Sequence, residues 1–458
     1  IRVLRGALRH PGKIVFASVA ALVAAWVLYA NFGRGFEFFP AVEPDRAVMK
    51  VFARGNLSVD EKATLVGQVE KEIVDLQRER NEMRSFYILS GTQQRRDDAP
   101  VDIIGTINIE FADWQTRRHA DDVLADIVRR TEHLAGIHVE TAKEEAGPPI
   151  GKPIQILVTS RYPDLIAPAI EKIRAHLDGM SGLKDIEDGR PVPGIEWELR
   201  VDRAQAAKFD ADVTVIGNII RLVTNGLKVS EYRPDDSEEE IDIVIRFPAD
   251  SRTLDQLDQT RVQTSMGLVP LSNFVTRTPK PKTTELRRTD SRRSMTVKAD
   301  VLPGVLADNK AKEIQSWLAS DANLDPRLDV EFKGEDEEQK KASAFLGKAF
   351  GVALFFMAII LVTQFNRFYS AFLILSAVIM STVGVMLGLL IIAQPFSIVM
   401  SGIGVIALAG IVVNNNIVLI DTFDRLSKTI SDPVEAIIRT GAQRLRPVML
   451  TTATTIFG

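Results

Sequence analysis

GIVVNNNIVLID (residues 410–421) sets three asparagines side by side inside an apolar run. FSIVMSGIGVIALAG precedes them and IVLI follows, so residues 396–420 are long enough to cross a bilayer. An Asn amide carries two donors and an acceptor that hydrocarbon leaves unsatisfied. Three consecutive helical residues fan over about 200°, at ~100° each. Asn414, Asn415 and Asn416 therefore cannot share one neighbour, and the helix must be surrounded by protein or water on most sides. That places it inside a bundle, where interhelical hydrogen bonds of roughly 0.6–2 kcal/mol offset part of the desolvation.

Other apolar runs supply the bundle. Ile14 to Ala30, Ala344 to Val362 and Ala371 to Ala393 each approach the ~20 residues a spanning helix needs. The first has no small-residue cleavage site after it and reads as a retained membrane helix, not a signal peptide. A last run begins at Pro447 and stops at Gly458, so the chain is expected to be part of a longer protein. Arg2, Arg5, Arg9 and Lys13 precede the first span, and Arg367 lies in the loop TQFNRFYS. Arg425, Lys428, Arg439, Arg444 and Arg446 follow the asparagines, whereas the AQP turn at 393–395 has no charge. The excess of positive charge orients the basic ends toward the cytoplasm and the residues between the first two spans away from it.

Those intervening residues repeat one pattern. RAVMKVFA reads as a strand, and Ser58 with Glu61 forms a capping box. Leu65, Val66, Val69, Ile73 and Leu76 then follow at helical spacing. SFYILS, VDIIGTINIEFA, the helix ADDVLADIVRRTEHL and the strand GIHVET complete a split βαβ unit. PIQILVTS, the helix PDLIAPAIEKIRAHL and strands near 183–188 and 195–201 begin a second unit. SMTVKADV, LADNKAKEIQSWLA and LDVEF finish it after an interruption too long for a loop.

Composition removes several function classes. The net charge of −4, with the basic residues not gathered into a stripe, gives no support for nucleic-acid binding. The chain has no cysteine, which excludes disulfides and thiolate chemistry. Its five histidines show no metal-ligand spacing, and His133 and His138 read as surface residues. Met83, Met180, Met266 and Met295 are scattered, which favours core filling over a soft-metal site. The charge runs DDSEEE (235–240) and EDEEQKK (335–341) read as solvated faces. No nucleophile–base set or nucleotide motif is present, so no enzyme activity and no cofactor are expected.

GIVVNNNIVLID followed by DPVEAIIRTGAQRLRPVMLTTATTIFG resembles the C-terminal half of resistance-nodulation-division (RND) efflux pumps, in their hydrophobe and amphiphile, or multidrug, exporter branch. LVTQFNRFYSAFLILSAVIMSTVGVMLGLLIIAQPFSI carries the same resemblance, as does VDRAQAAKFDADVTVIGNIIRLVTNG leading to LVPLSNF. It implies an α/β membrane protein: a transmembrane helix bundle plus a periplasmic porter region of two ferredoxin-like βαββαβ subdomains with a docking insertion. Residues 1–40 would be the seventh membrane helix and the segment leaving it, and 41–149 the first porter subdomain. Residues 150–201 and 291–334 would form the second, 202–290 the docking insertion, and 335–458 helices eight to ten with the start of eleven. The resemblance also implies a bacterial inner-membrane homotrimer working with a periplasmic adaptor and an outer-membrane channel. Its expected function is export of lipophilic or amphiphilic compounds driven by the proton-motive force. A non-transporting scaffold of the same fold and a metal-exporting member are the alternatives.

The resemblance places a proton relay at Asn414, where relatives carry a lysine, and at Thr451, with Asn415 in support. Asp421, two turns after Asn414, is either a relay member or a carboxylate at the wet helix end. A lysine would shift the pKa of facing carboxylates by its charge, whereas asparagine offers only hydrogen bonds. On the substrate side, FYILSGTQQRRDDAPVD places Phe86, Tyr87, Arg95 and Arg96 where multidrug relatives shape their pocket. A charged loop there suits amphiphilic or anionic substrates, or is simply a solvated tip.

Overall fold

The computed structural model describes residues 2–40, 42–55, 57–91, 102–144, 147–148, 150–190, 194–235, 240–281 and 286–457. Contacts divide the chain into two compact units, one of residues 1–190 with 286–458 and one of residues 191–285.

The larger unit opens with a short helix α1 (Arg2–Leu8) and the apolar helix α2 (Pro11–Phe32), then a two-residue strand β1 (Phe36–Glu37). A βαββαβ unit follows: β2 (Arg46–Ala53), α3 (Val59–Arg80), β3 (Met83–Ser90), β4 (Ile103–Phe111), α4 (Ala120–Thr131) and β5 (Ile137–Lys143). Ser58 accepts from the Glu61 amide and Glu61 accepts from the Ser58 amide, so the expected capping box starts α3. Val66, Val69, Ile73 and Leu76 line one face of α3 and meet the alternate residues Ala47, Met49 and Val51 of β2. Each such fully buried side chain contributes roughly 1.5–3 kcal/mol relative to exposure. The sheet order β3-β4-β2-β5 is antiparallel throughout, the arrangement of a split βαβ unit.

The second βαββαβ unit begins with β6 (Ile154–Ser160), α5 (Ile166–Asp178) and β7 (Leu183–Glu187). In chain order, the smaller unit is inserted between β7 and the remaining strands of this sheet. It comprises β8 (Ile195–Val201), α6 (Arg203–Lys208), α7 (Val213–Val223), β9 (Leu227–Tyr232), β10 (Ile241–Ile245), α8 (Leu254–Gln259), β11 (Arg261–Thr264), β12 (Gly267–Pro270) and β13 (Val275–Pro281). The sheet then resumes with β14 (Arg288–Thr289), β15 (Arg292–Val301), α9 (Ala307–Ser320) and β16 (Asp329–Gly334). Its order is β14-β15-β6-β16 with β7 also on β15, so the principal strands repeat the first unit's order. One expectation is corrected. The strand at 195–201 does not join this sheet; it pairs along its length with β13. The smaller unit has its own core around Ile216, Val262, Leu271 and Phe274.

Four long helices complete the larger unit: α10 (Glu335–Phe365), α11 (Phe368–Ile392), α12 (Ile398–Leu426) and α13 (Pro433–Phe457), with β17 (Phe396–Ser397) before α12. Helices α2, α10, α11 and α12 are long and apolar enough to cross a membrane. Leu361, Ala371, Ile374, Val378, Ala409 and Val413 form the core where α10, α11 and α12 meet. The acidic run at 335–338 forms the first turn of α10, where negative charge suits the helix dipole. Helix α13 starts fourteen residues before Pro447 and runs through it.

At the end of the bundle near the sheets, β1 and β17 pair in parallel, Phe36 with Phe396 and Glu37 with Ser397. The Phe38 amide donates to Glu335 Oε1 at 3.2 Å, and the Glu335 amide donates to Pro153 O at 3.0 Å. Gly334 makes the turn from β16 into α10 at φ +71°, where a Cβ would lie 2.7 Å from Pro153 O. At the other end, Arg367 at the start of α11 meets Asp424 of α12 at 3.8 Å.

Candidate functional site

Residues 150–153 carry the chain from β5 of the first sheet to β6 of the second, and Lys152 sits in that crossing. Its ammonium lies 2.9 Å from Glu140 Oε2 and 2.6 Å from Glu187 Oε1 and also donates to the Asp185 carbonyl. Glu140 belongs to β5, and Asp185 and Glu187 to β7, so one cation ties both sheets and their linker together. These side chains are largely withdrawn from water, Lys152 being 13% exposed and Glu140 11%. Burial pushes Glu140 up to about 7, an effect that Lys152 offsets only in part. Burial also works against the Lys152 ammonium, but Glu187 and Glu140 outweigh it and hold the amine above the ordinary lysine range.

The network borders a cleft of about 340 Å³. Phe38, Phe39, Pro40 and Val42 give it an apolar wall, and the remainder is of mixed charge, with Glu140, Asp185, Asp300 and Glu335 beside Lys50, Lys143 and Lys152. At its edge, His138, Glu140 and Asp185 bring one ligand atom each to within 4.8 Å of one another. His138 Nε2 is 3.8 Å from Glu140 Oε1, while Lys152 occupies the other oxygen of that carboxylate. A nitrogen and two carboxylate groups suit a borderline or hard divalent cation, not a soft one.

The sulfur atoms lie elsewhere. Met49 and Met83 are buried in the first core, Met180 and Met295 pack against the second, and Met266 is in the smaller unit. Met83, Met180 and Met295 therefore fill or flank cores, as the sequence suggests, whereas Met266 is exposed and fills none. His138 is exposed, also as expected, yet it stands beside two carboxylates that sequence reasoning passed over. A signal was available: in IHVETAK, His138 and Glu140 flank the buried Val139 and share one face of β5.

Phe86 and Tyr87 sit on β3, at the opposite sheet edge from β5. Three inter-strand steps of about 4.8 Å separate those edges. Phe86 packs against the first core, and Tyr87 is exposed beside a shallow hollow formed with α3. The structure thus does not bring them to the cleft. Arg95 and Arg96 lie outside the described residues.

In the bundle, Asn414 is exposed one residue after Val413, which packs against α10 and α11. Asn415 and Asn416 are half-buried, and Asn416 donates to Val412 O of its own helix at 2.9 Å. Thr451 is exposed and donates to Pro447 O at 3.0 Å. Asp421 pairs with Arg425 at 2.8 Å one turn on, near the basic end of α12.

The whole of residues 1–458 matches the AcrB/AcrD/AcrF family. The nickel and cobalt resistance protein CnrA of Cupriavidus metallidurans is 24% identical, over 98% of this chain and 42% of that protein. The multidrug resistance protein MdtC of Salmonella agona is 25% identical over 63% of this chain and 28% of its own length. A crystal structure of a heavy metal efflux pump superposes with a TM-score of 0.81 at 20% identity, over 99% of this chain and 46% of that one. The chain thus spans less than half the length of these proteins. It belongs to the AcrB/AcrD/AcrF family, a family of efflux transporters and not of enzymes.

Proposed function

We propose that this chain is the C-terminal half of an RND pump that exports divalent heavy-metal cations. The observation that carries the reading is the His138, Glu140 and Asp185 set at the edge of the cleft. Resistance to nickel and cobalt in the relative CnrA supports it, and favours the metal-exporting alternative over lipophile export as the principal function. The nitrogen and oxygen ligands point to ions such as zinc, cobalt or nickel as substrate, and the absence of cysteine from the sequence and of methionine among the described cleft residues argues against copper(I). Lys152 stays with Glu140 Oε2 and Glu187, leaving Glu140 Oε1 for the ion. In the complete protein the two βαββαβ units serve as porter subdomains and residues 191–285 as the docking insertion. The pump works as an inner-membrane trimer with an adaptor and an outer-membrane channel.

Proton entry past the polar face of α12, with Asn414, Asn415 and Thr451 as hydrogen-bonding partners, drives the cycle in this reading. Asp421, paired to Arg425, serves as an anchor at the helix end. Export of amphiphiles is the second reading, favoured by the Phe38 and Phe39 wall of the cleft and by likeness to MdtC.

The test uses the full-length transporter in cells lacking their own metal exporters. His138→Ala, Glu140→Gln and Asp185→Asn should each weaken zinc, cobalt or nickel export at least about tenfold, since loss of even a supporting partner of a metal site costs that much. Tolerance to ethidium and bile salts should not change. Unaltered metal tolerance in all three variants would overturn the metal reading, and a selective loss of amphiphile tolerance would replace it with the second.

A further inference from the structure

The end of the bundle opposite the sheets carries more positive charge than its own acids neutralise. Every described carboxylate there is engaged: Asp421 with Arg425, Asp424 with Arg367, Glu435 with Arg439, and Asp432 with the Val434 amide at the start of α13. Arg444 is also used, donating to Thr422 Oγ1 at 2.7 Å. Arg5, Arg9, Lys13, Lys428 and Arg446 are exposed and have no carboxylate within ion-pair distance among the described residues.

Packing gathers the charges. Helix α1 lies against both α2 and α13, with Leu4 seated on Gly441, where a Cβ would meet Leu4 Cδ1's twin methyl, Cδ2, at 3.1 Å. One helical turn beyond Gly441, α13 presents Leu445 and Arg446, both exposed. Below the cations on each helix the surface turns apolar: Val15 and Phe16 on α2, Met449 and Leu450 on α13, all exposed. A cationic rim above an apolar band is the profile of a lipid headgroup layer above its acyl chains.

We propose that this rim is a binding surface for anionic phospholipid headgroups, with Arg5, Arg9, Lys13, Lys428 and Arg446 as its contacts. Charge complementarity selects a lipid of net negative charge, and the flanking apolar band holds its acyl chains. The surface is separate from the cleft and does not rest on the substrate reading.

The experiment titrates phosphatidylglycerol into the full-length transporter in a neutral detergent and counts retained lipids by native mass spectrometry. Phosphatidylcholine and inorganic phosphate serve as comparisons. Wild type should retain phosphatidylglycerol in preference to phosphatidylcholine, and phosphate should not displace it. Combined replacement of Arg5, Arg9, Lys13 and Arg446 by Gln should weaken retention about five-fold per charge removed. The same four positions kept cationic (Arg→Lys, with Lys13 intact) should retain the lipid, and so should Arg439→Gln, whose side chain is already paired. Equal retention of the two lipids, or unchanged retention in the four-fold Gln variant, would overturn the proposal. So would protection of Lys13 and Lys428 from amine labelling in lipid-free micelles, which would show that protein covers the rim.

Discussion

At Lys152 an ammonium that is 13% exposed holds two carboxylates, Glu140 and Glu187, that would otherwise face each other across the joint between the two sheets. Removing one partner of a buried ion pair strands the others, at a cost of about 3–5 kcal/mol. Lys152→Met should therefore lower the melting temperature clearly in detergent, and Lys152→Met with Glu140→Gln should recover much of the loss. A single variant as stable as wild type would show that the ammonium is dispensable. Asn414 is a different case, because it is exposed on α12 and stabilises little within this chain. Asn414→Leu should abolish export by the complete pump while leaving trimer assembly intact; unchanged efflux would remove it from the relay. The asparagines were legible because three amides in an apolar helix conflict with their solvent. The Lys152 network was not, because its members, at 140, 152, 185 and 187, come together only when two sheets close on their linker.

Among elements, the join between β1 and β17 links α2 and α12 beside the first turn of α10, where the Phe38 amide reaches Glu335. Burial, reinforced by the Glu335 carboxylate, raises Glu37 in β1 to about 7. The sign of its pH effect follows. Below the ordinary value of 4.5, both folded and unfolded chains hold the proton. Between there and about 7 only the folded chain keeps it, so this residue's contribution to stability falls as pH rises. Above that window the full penalty of the buried charge remains. Glu37→Gln should therefore raise the melting temperature most above neutral pH and hardly at all near pH 4. A difference from wild type that does not change across that range would contradict the assignment. Longer elements were easier to read. The α3 cap and apolar face were evident from residues 58–76, but two-residue strands such as β1 and β17 have no period to detect. Strand β8 was visible as a strand, yet its partner β13 lies far along the chain, and alternation alone does not specify a partner.

On the scale of the molecule, two βαββαβ units share one strand order, and the chain of the second is interrupted by an insertion that has its own core. The ends of that insertion are held together: β8 and β13 run antiparallel, with Ile195 opposite Pro281 and Val201 opposite Val275. An insertion whose two ends leave side by side can be cut out without tearing either sheet. Residues 191–285 expressed alone should therefore fold, with Ile216, Val262, Leu271 and Phe274 excluded from water. At this size a core can sustain independent stability, on the order of 5 kcal/mol. The fragment should unfold cooperatively on heating and give dispersed amide resonances. Ile243 and Ile245 on the exposed ribbon of β9 and β10 are an association hazard, so a variant with both changed to Thr guards against aggregation. If that soluble variant shows no cooperative transition, the core at 206–275 depends on the rest of the chain, and the insertion is not an autonomous domain.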